Sequence, residues 1–555
     1  SCAKIAQEIR IIKEFSMIIE NPILENSDNN SNVPVVHEDI THEEVSNPIV
    51  FKQAFTRVSK LSLQMTASYT FSFQMVFLVY LLSQLDDDED NLAAITLITS
   101  FITTVVMIGI SPLLPMSLIA GHEIGALHDA ELNAEDEHLL QSRRERIAAV
   151  HRNGLFISAG MLPIMTSCMV FSKPILTDLF YQNEDVATIA SKFIQPYAIA
   201  LPGIMLRICS EQLMFSFGRT KAAMLIGLTN FTFCMSIGSL FTFGSLGLPR
   251  LGTTGLLIAC IAESYLTAVA YSVYIAQSPR FKSFNFFDLM RPIEPHLAQL
   301  KKILKISKFN LFAMTVECTM DLTTSVLAGV VGTQEQAALS ATMQFSLLTL
   351  LLQAAFGQSC SQEMSRELGQ NHFSNVSHLG KFGLITSLMF TTPIPLTLAA
   401  YPAMLLPIIG EKNQETREIL HYLAPIIFLG NIMDSARYNM VQQLRVLGDS
   451  RRSSVVSSAC LTLGMSTSAL LGLKTDLGIY GVAAGYSFGI TLATASIFYR
   501  WINRIDSAVI EKNKNNPEVK PKLANYCSFF FKMIPNRIRS NTEIGTEMKE
   551  STPTV

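Results

Sequence analysis

Seven ionisable side chains stand inside otherwise apolar stretches: Arg207, Glu211 and Glu263 in the first half of the chain, and Glu317, Asp321, Asp434 and Arg437 in the second. At the centre of a bilayer each would cost at least about 2.5–3.5 kcal/mol on insertion scales, so each needs a partner or a task. Arg207 and Glu211 are four residues apart on one helical face and are expected to neutralise each other. Glu263 has no local partner; it faces either a cavity or Arg207, and the sequence leaves both open. Glu317 and Asp321 also stand at i and i+4 but share a sign, which suits a face that exchanges a proton for a cation. Asp434 is either satisfied by Arg437, one turn on, or belongs with Glu317 in a cation site.

The elements that must position these groups are long apolar helices. Of 555 residues, 49% are apolar and only 16% charged, against about 25% charged in an ordinary soluble chain. The deficit is concentrated. Apolar stretches of roughly 20 to 28 residues, each able to cross a hydrocarbon layer of about 30 Å, recur at 61–85, 92–120, 154–181, 188–216, 222–244, 252–277, 304–331, 337–360, 382–409, 421–447, 454–473 and 478–501. Twelve spans are therefore expected. The loops joining spans 2–3 (Arg143, Arg144, Arg146, Arg152), 4–5 (Arg219, Lys221), 6–7 (Arg280, Lys282, Arg291, Lys301, Lys302) and 10–11 (Arg451, Arg452) are basic, and the opposite loops carry few Lys or Arg. Basic loops resist translocation, so both termini are expected in the cytoplasm.

The two halves repeat. Asn91 to Thr96 resembles Glu335 to Ser340, and the same offset lays Glu123-Ile124-Gly125 on Glu367-Leu368-Gly369. Later, Phe217-Gly218-Arg219-Thr220 corresponds to Leu447-Gly448-Asp449-Ser450, and Leu251-Gly252 through Gly255 to Leu477-Gly478 through Gly481. Six spans repeated once enter the membrane in one direction, so the expected architecture is two six-helix lobes related by a pseudo-two-fold axis along the membrane normal, with a cavity between them. The first-half positions equivalent to Glu317, Asp321 and Asp434 are Phe73, Phe77 and Ile204, which confines an acidic cation site to the second lobe.

The organisation that follows is a polar, mobile N-terminal arm (1–50), an N-lobe (51–277), an inter-lobe linker (278–303), a C-lobe (304–501) and a tail (502–555). The arm shows no basic segment leading into an apolar one, so no signal peptide is expected from it. The chain opens on Ser rather than Met, which leaves room for residues upstream. Pro112, Pro115, Pro163, Pro202, Pro393, Pro395 and Pro425 fall within the spans and are expected to kink them. The Met and Phe residues at helical spacing read as core or lipid-facing rather than as a drug cavity.

Several chemistries are set aside. A net charge of −3 supplies no field for nucleic acid. The nine cysteines show no CxxC pair and mostly sit in apolar runs, as small buried hydrophobes do. His122-Glu123 with His128 has the wrong spacing for a zinc helix, and the run Asp86 to Asp90 lacks the alternating ligands, glycine and closing Glu of a calcium loop. No Ser-His, Cys-His or HExxH set lies in the spans, so no enzyme is expected.

From about Asn91 to Trp501 the sequence resembles the multidrug and toxic compound extrusion (MATE) transporters. The resemblance is carried by Val316-Glu317-Cys318, Ala328-Gly329-Val330-Val331-Gly332 with Ala337-Ala338, Arg366-Glu367-Leu368-Gly369, Met433-Asp434-Ser435 and Leu251-Gly252. It implies antiport of organic cations and amphiphiles against Na⁺ or H⁺, with Glu317 and Asp434, and Asp321 beside them, as the coupling-ion acids. Many members carry an acid in span 1, whereas Leu61 to Leu85 has none. Arg437 stands where a small or apolar residue is expected, and the segment 121–153 is longer and more charged than usual.

The expected function is a secondary active exporter of a cationic or amphiphilic small molecule. It would use no cofactor beyond the coupling ion and no metal beyond Na⁺ at Glu317 and Asp434, with the organic substrate and the lipid bilayer as its partners and no nucleic acid, acting as a monomer in the cell membrane (the inner membrane if bacterial). Arg207, Glu211, Glu263 and Arg437 are the substrate-facing or structural charges. Two alternatives stay open: a flippase for lipid-linked precursors, which would need a basic cavity, and a non-transporting membrane receptor or scaffold working through its tails.

Overall fold

A computed structural model describes residues 51–69, 74, 77–78, 81, 89–180, 182, 184–244, 247, 249–287, 294–405, 414–506 and 509–510. The N-terminal arm, the outer part of span 1, the start of the acidic run and nearly all of the tail lie outside these residues.

The first half comprises α1 (Phe51–Ser68), α2 (Glu89–Ile110), α3 (Met116–Leu132), α4 (Glu137–Val170), α5 (Glu184–Tyr197), α6 (Leu201–Ser216), α7 (Thr220–Phe243) and α8 (Thr253–Gln277). The second comprises α9 (Glu294–Val331), α10 (Thr333–Gly369), α11 (Phe373–Thr391), α12 (Pro393–Ala400), α13 (Gln414–Val446), α14 (Ser450–Lys474) and α15 (Gly478–Ile502). Helices are what apolar chain must form where water is absent, because each backbone N–H and C=O then finds its partner within the segment. The outer faces confirm such a setting: Phe156, Val330 and Leu470 are 61%, 66% and 60% exposed, where a water-facing helix would carry polar side chains.

Proline marks three of the breaks. Pro112 and Pro115 mark the turn between α2 and α3, Pro202 follows a single 3₁₀ turn at Ala198–Ala200 that joins α5 to α6, and Pro393 starts α12 directly after α11. Pro163 and Pro425 stay inside α4 and α13.

Nine helical segments among the described residues are long and apolar enough to cross a membrane. The expected spans outside that set are 61–85, part of which lies outside the described residues, 92–120, which the turn after Ile110 divides, and 337–360. The last lies within α10, whose Gln353, Gln358, Ser359, Ser361 and Gln362 are buried. That polar stripe lowers its hydropathy because it packs on protein rather than on lipid, Gln353 on α13 and Gln358 and Ser359 on the other half.

The segment 121–153 is a helical hairpin rather than a loop. α3 and α4 extend beyond the apolar core and meet at a turn over 133–136, held by Arg144 to Glu131 (3.4 Å) and Glu137 (2.9 Å) and by Arg143 to Glu135 (3.6 Å). Part of the linker expected at 278–303 is likewise helical, at Pro279–Lys282 and in the first turns of α9.

Two features of the packing bear on motion. α14 and α15 touch backbone to backbone: a Cβ on Gly464 would fall 2.6 Å from the Gly489 Cα, and one on Gly485 2.3 Å from the Ser468 amide nitrogen. The halves are also fastened together at the ends that carry the basic loops. Ser62 and Ser359 hydroxyls hydrogen-bond directly. Tyr69 donates to the Gln358 carbonyl (2.5 Å), whose Nε2 donates in turn to Gln212 (2.6 Å) and Ser117 (3.2 Å). Arg366 donates to the Ser216 carbonyl (2.6 Å), which ends α6. α3 and α10 cross so closely that a Cβ on Gly125 would lie 2.1 Å from the Arg366 carbonyl oxygen.

Candidate functional site

In the second half, α13 places Asp434 and Arg437 one turn apart and α9 brings Glu317 to them. Arg437 donates from Nε to Asp434 Oδ1 (2.7 Å) and from Nη1 to both Glu317 Oε1 (2.7 Å) and Ser457 Oγ of α14 (2.9 Å). The guanidinium side chain is 4% exposed, whereas Glu317 and Asp434 are 23% and 14% exposed. Glu317 therefore has from α13 the cation that no neighbour within a turn of it on α9 supplies. Arg437 satisfies Asp434 from one turn on and also joins it to Glu317.

Asp321 is exposed and accepts a hydrogen bond from the Tyr486 hydroxyl of α15 (3.2 Å). Glu317 and Asp321 thus turn to different partners, Arg437 and Tyr486.

In the first half the expected pairing is corrected. Arg207 donates to both oxygens of Glu263 (3.1 and 3.2 Å), and Thr267, one turn along α8, donates to the same carboxylate (3.2 Å). The side chains of Arg207 and Glu263 are 1% and 0% exposed. Neither Glu211 oxygen makes a full hydrogen bond, although Ser68 and the Arg207 charge stand beside it. A carboxylate facing the guanidinium from another helix can meet it with both oxygens, which the neighbour one turn along the same helix does not do here.

Spacing along the chain could not show Ser457 or Tyr486, since each reaches its partner through tertiary packing, whereas Thr267, four residues from Glu263 on α8, was within reach of an i,i+4 reading. The inter-lobe fastening was visible only as the stretch Arg366 to Gly369. Around it the charges are also satisfied. Glu123 accepts from Lys302 (3.1 Å) and pairs with Arg146 (3.3 Å). Burial works to raise its carboxyl, but Lys302 and Arg146 outweigh burial and hold it below the ordinary carboxylate value. His372 bonds Glu367 (3.1 Å), and that bond raises the imidazole above its ordinary value.

Two bundles of long apolar helices, with charges buried in each and fastened at one end, make a multi-pass membrane architecture. The family model MatE matches residues 141–241 and 311–470, and over those residues the chain is similar to the MATE family. A probable multidrug resistance protein NorM of Synechocystis sp. is 26% identical over 275 residues, 49% of this chain and 58% of that relative. One of Mannheimia succiniciproducens is 23% identical over 375 residues, 65% of this chain and 78% of the relative. The crystal structure of the eukaryotic MATE transporter AtDTX14 superimposes with a TM-score of 0.70 at 15% identity, covering 83% of this chain and 99% of that one. The chain is an all-α integral membrane protein of twelve spans in two six-helix lobes.

Proposed function

We propose that this chain is a secondary active exporter of cationic or amphiphilic small molecules, driven by Na⁺ or H⁺, with Glu317 and Asp434 as the acids through which the coupling ion acts. The observation that carries this reading is their convergence from α9 and α13 on one guanidinium, each partly open while the Arg207–Glu263 pair is sealed. The names of the NorM relatives, which are multidrug resistance proteins, support the substrate class.

In this reading the basic ends and both termini face the cytoplasm, the N-lobe (51–277) and C-lobe (304–501) move against each other, and fastening at the basic ends corresponds to a cavity open to the outside. An ion can drive the reverse arrangement only by binding it better. One charge moving inward through 100 mV contributes about 2.3 kcal/mol, roughly fiftyfold in an equilibrium. The protein works as a monomer in the cell membrane. The lipid-linked flippase is the weaker reading, because the two arginines it would offer to a pyrophosphate, Arg207 and Arg437, are both committed to carboxylates.

The test is efflux of a fluorescent organic cation from transporter-deficient cells under imposed Na⁺ or H⁺ gradients. Export should follow a gradient and fall to background in well-expressed Glu317→Gln and Asp434→Asn. Mutants that match the unmodified chain, or an unmodified chain that exports nothing, would refute the assignment.

A further inference from the structure

The acids proposed to couple transport already hold a cation. Arg437 occupies the space between Glu317 and Asp434, and its charge is fixed because a guanidinium does not deprotonate in a protein. A hard alkali ion needs several oxygens turned toward it at once, and here one oxygen of each acid, together with the Ser457 hydroxyl, is turned toward the guanidinium. A second positive charge about 4 Å from the first, at an effective dielectric of about 20, would bind roughly a thousandfold more weakly. The residues present therefore do not fit Na⁺.

The internal repeat gives a second, independent argument. The offset that lays Phe217 to Thr220 on Leu447 to Ser450 also lays Arg207 on Arg437. Each arginine projects from the equivalent helix into carboxylate supplied by another helix, α8 in the first half and α9 in the second. The acids do not correspond between the halves: Ile204 stands opposite Asp434, and Phe73 opposite Glu317. The arginine is thus the shared element of the two clusters.

We propose that Arg437 is the residue that sets ion specificity, a resident cation standing where an alkali ion would bind, so that the C-lobe site does not take Na⁺. This deepens the exporter reading and rests on it only for the meaning of the site. The other ionisable groups facing the cluster are Asp321 and Cys318 of α9, Tyr438 and Arg445 of α13, and Tyr486 of α15. Of these, Asp321 keeps its own partner in Tyr486.

The experiment measures retention of ²²Na⁺ by the purified full-length chain, with choline holding ionic strength constant and no organic substrate present. The unmodified chain should show no saturable Na⁺ binding up to about 100 mM, whereas Arg437→Gln should gain it with an affinity at least a hundredfold higher. If Arg437→Gln is not recovered folded, the charge-balanced Arg437→Gln/Glu317→Gln, which leaves Asp434 facing the vacated space, is read instead and should also gain retention. Saturable millimolar Na⁺ binding by the unmodified chain that Glu317→Gln abolishes would overturn the proposal, as would a folded arginine variant that still refuses Na⁺. Neither outcome depends on export. A chain that moves no organic cation still answers this question, and one that binds Na⁺ can still be an exporter.

Discussion

The Arg207–Glu263 pair offers the sharpest energetic test, because both partners are sealed from solvent at 1% and 0% exposure. Opposite charges about 4 Å apart attract by about 4 kcal/mol at an effective dielectric of 20, and removing one member of a buried pair costs about 3–5 kcal/mol, because the survivor is left desolvated. Arg207→Met should be the costlier single change, near the top of that range, since it leaves two neighbouring carboxylates, Glu263 and Glu211, without their cation. Glu263→Gln keeps a hydrogen-bonding group against Arg207 and leaves that guanidinium beside Glu211, so it should fall at the bottom. The double change Arg207→Met/Glu263→Gln should cost at least about 2 kcal/mol less than the two single losses added together. Equilibrium unfolding in mixed micelles, followed by loss of helical signal, measures all four proteins. A loss below about 1 kcal/mol for Arg207→Met, or strict additivity in the double variant, would show that the pair is not the desolvated contact described above.

Three further outcomes follow from the fastening of the lobes. Ser62→Cys/Ser359→Cys places two sulfurs where two hydroxyls now touch, so oxidation should lock the basic ends together and stop export, and reduction should restore it; unimpaired export by fully oxidised protein would mean that these ends need not part. Gly125→Val puts a side chain into the Arg366 backbone and should shift the lobes away from the fastened state, read as a longer spin-label distance between α3 and α10; an unchanged distance would refute that. The His372 imidazole is raised in the folded chain by its bond to Glu367, so its contribution to stability is complete below the unfolded value of about 6.5 and fades as pH rises through the higher folded value. The difference in melting temperature between the unmodified chain and His372→Gln should shrink from pH 6 upward, and a difference constant from pH 5 to 8 would contradict the assignment.

Much of the architecture was legible because the bilayer imposes it. Length and charge avoidance located the spans, and the repeat of Glu123-Ile124-Gly125 at Glu367-Leu368-Gly369 divided them into halves. Within the site, Glu317 and Asp434 could be singled out because neither has a counterpart in the first half. Pairing was less legible where it depends on packing. Arg207 has a candidate partner one turn away in Glu211 and chooses Glu263, 56 residues distant, because only tertiary packing brings α6 and α8 together. The same limit hid the base for Glu317, which lies 120 residues away in Arg437. The segment 121–153 misled for a different reason: its charges suggested a loop, but they pair across two helices and so stabilise the hairpin that they appeared to interrupt.

The glycine contact between α14 and α15 has a consequence for how motion would be registered. Where Gly464 meets Gly489 and Gly485 meets the Ser468 backbone no side chain separates these helices, so sliding or rolling there meets backbone collision, and the pair moves as a single plate. Ser457 and Tyr486 belong to that plate, while Glu317 and Asp321 ride on α9, and Asp434 and Arg437 on α13. The two hydroxyls are therefore fixed marks on a scale; α13 is itself bonded to α15 through Ser487 and Thr494, so α9, with Glu317 and Asp321, is the pointer that would travel past them. Any rearrangement of the C-lobe would be read first as a change in which mark each charge touches.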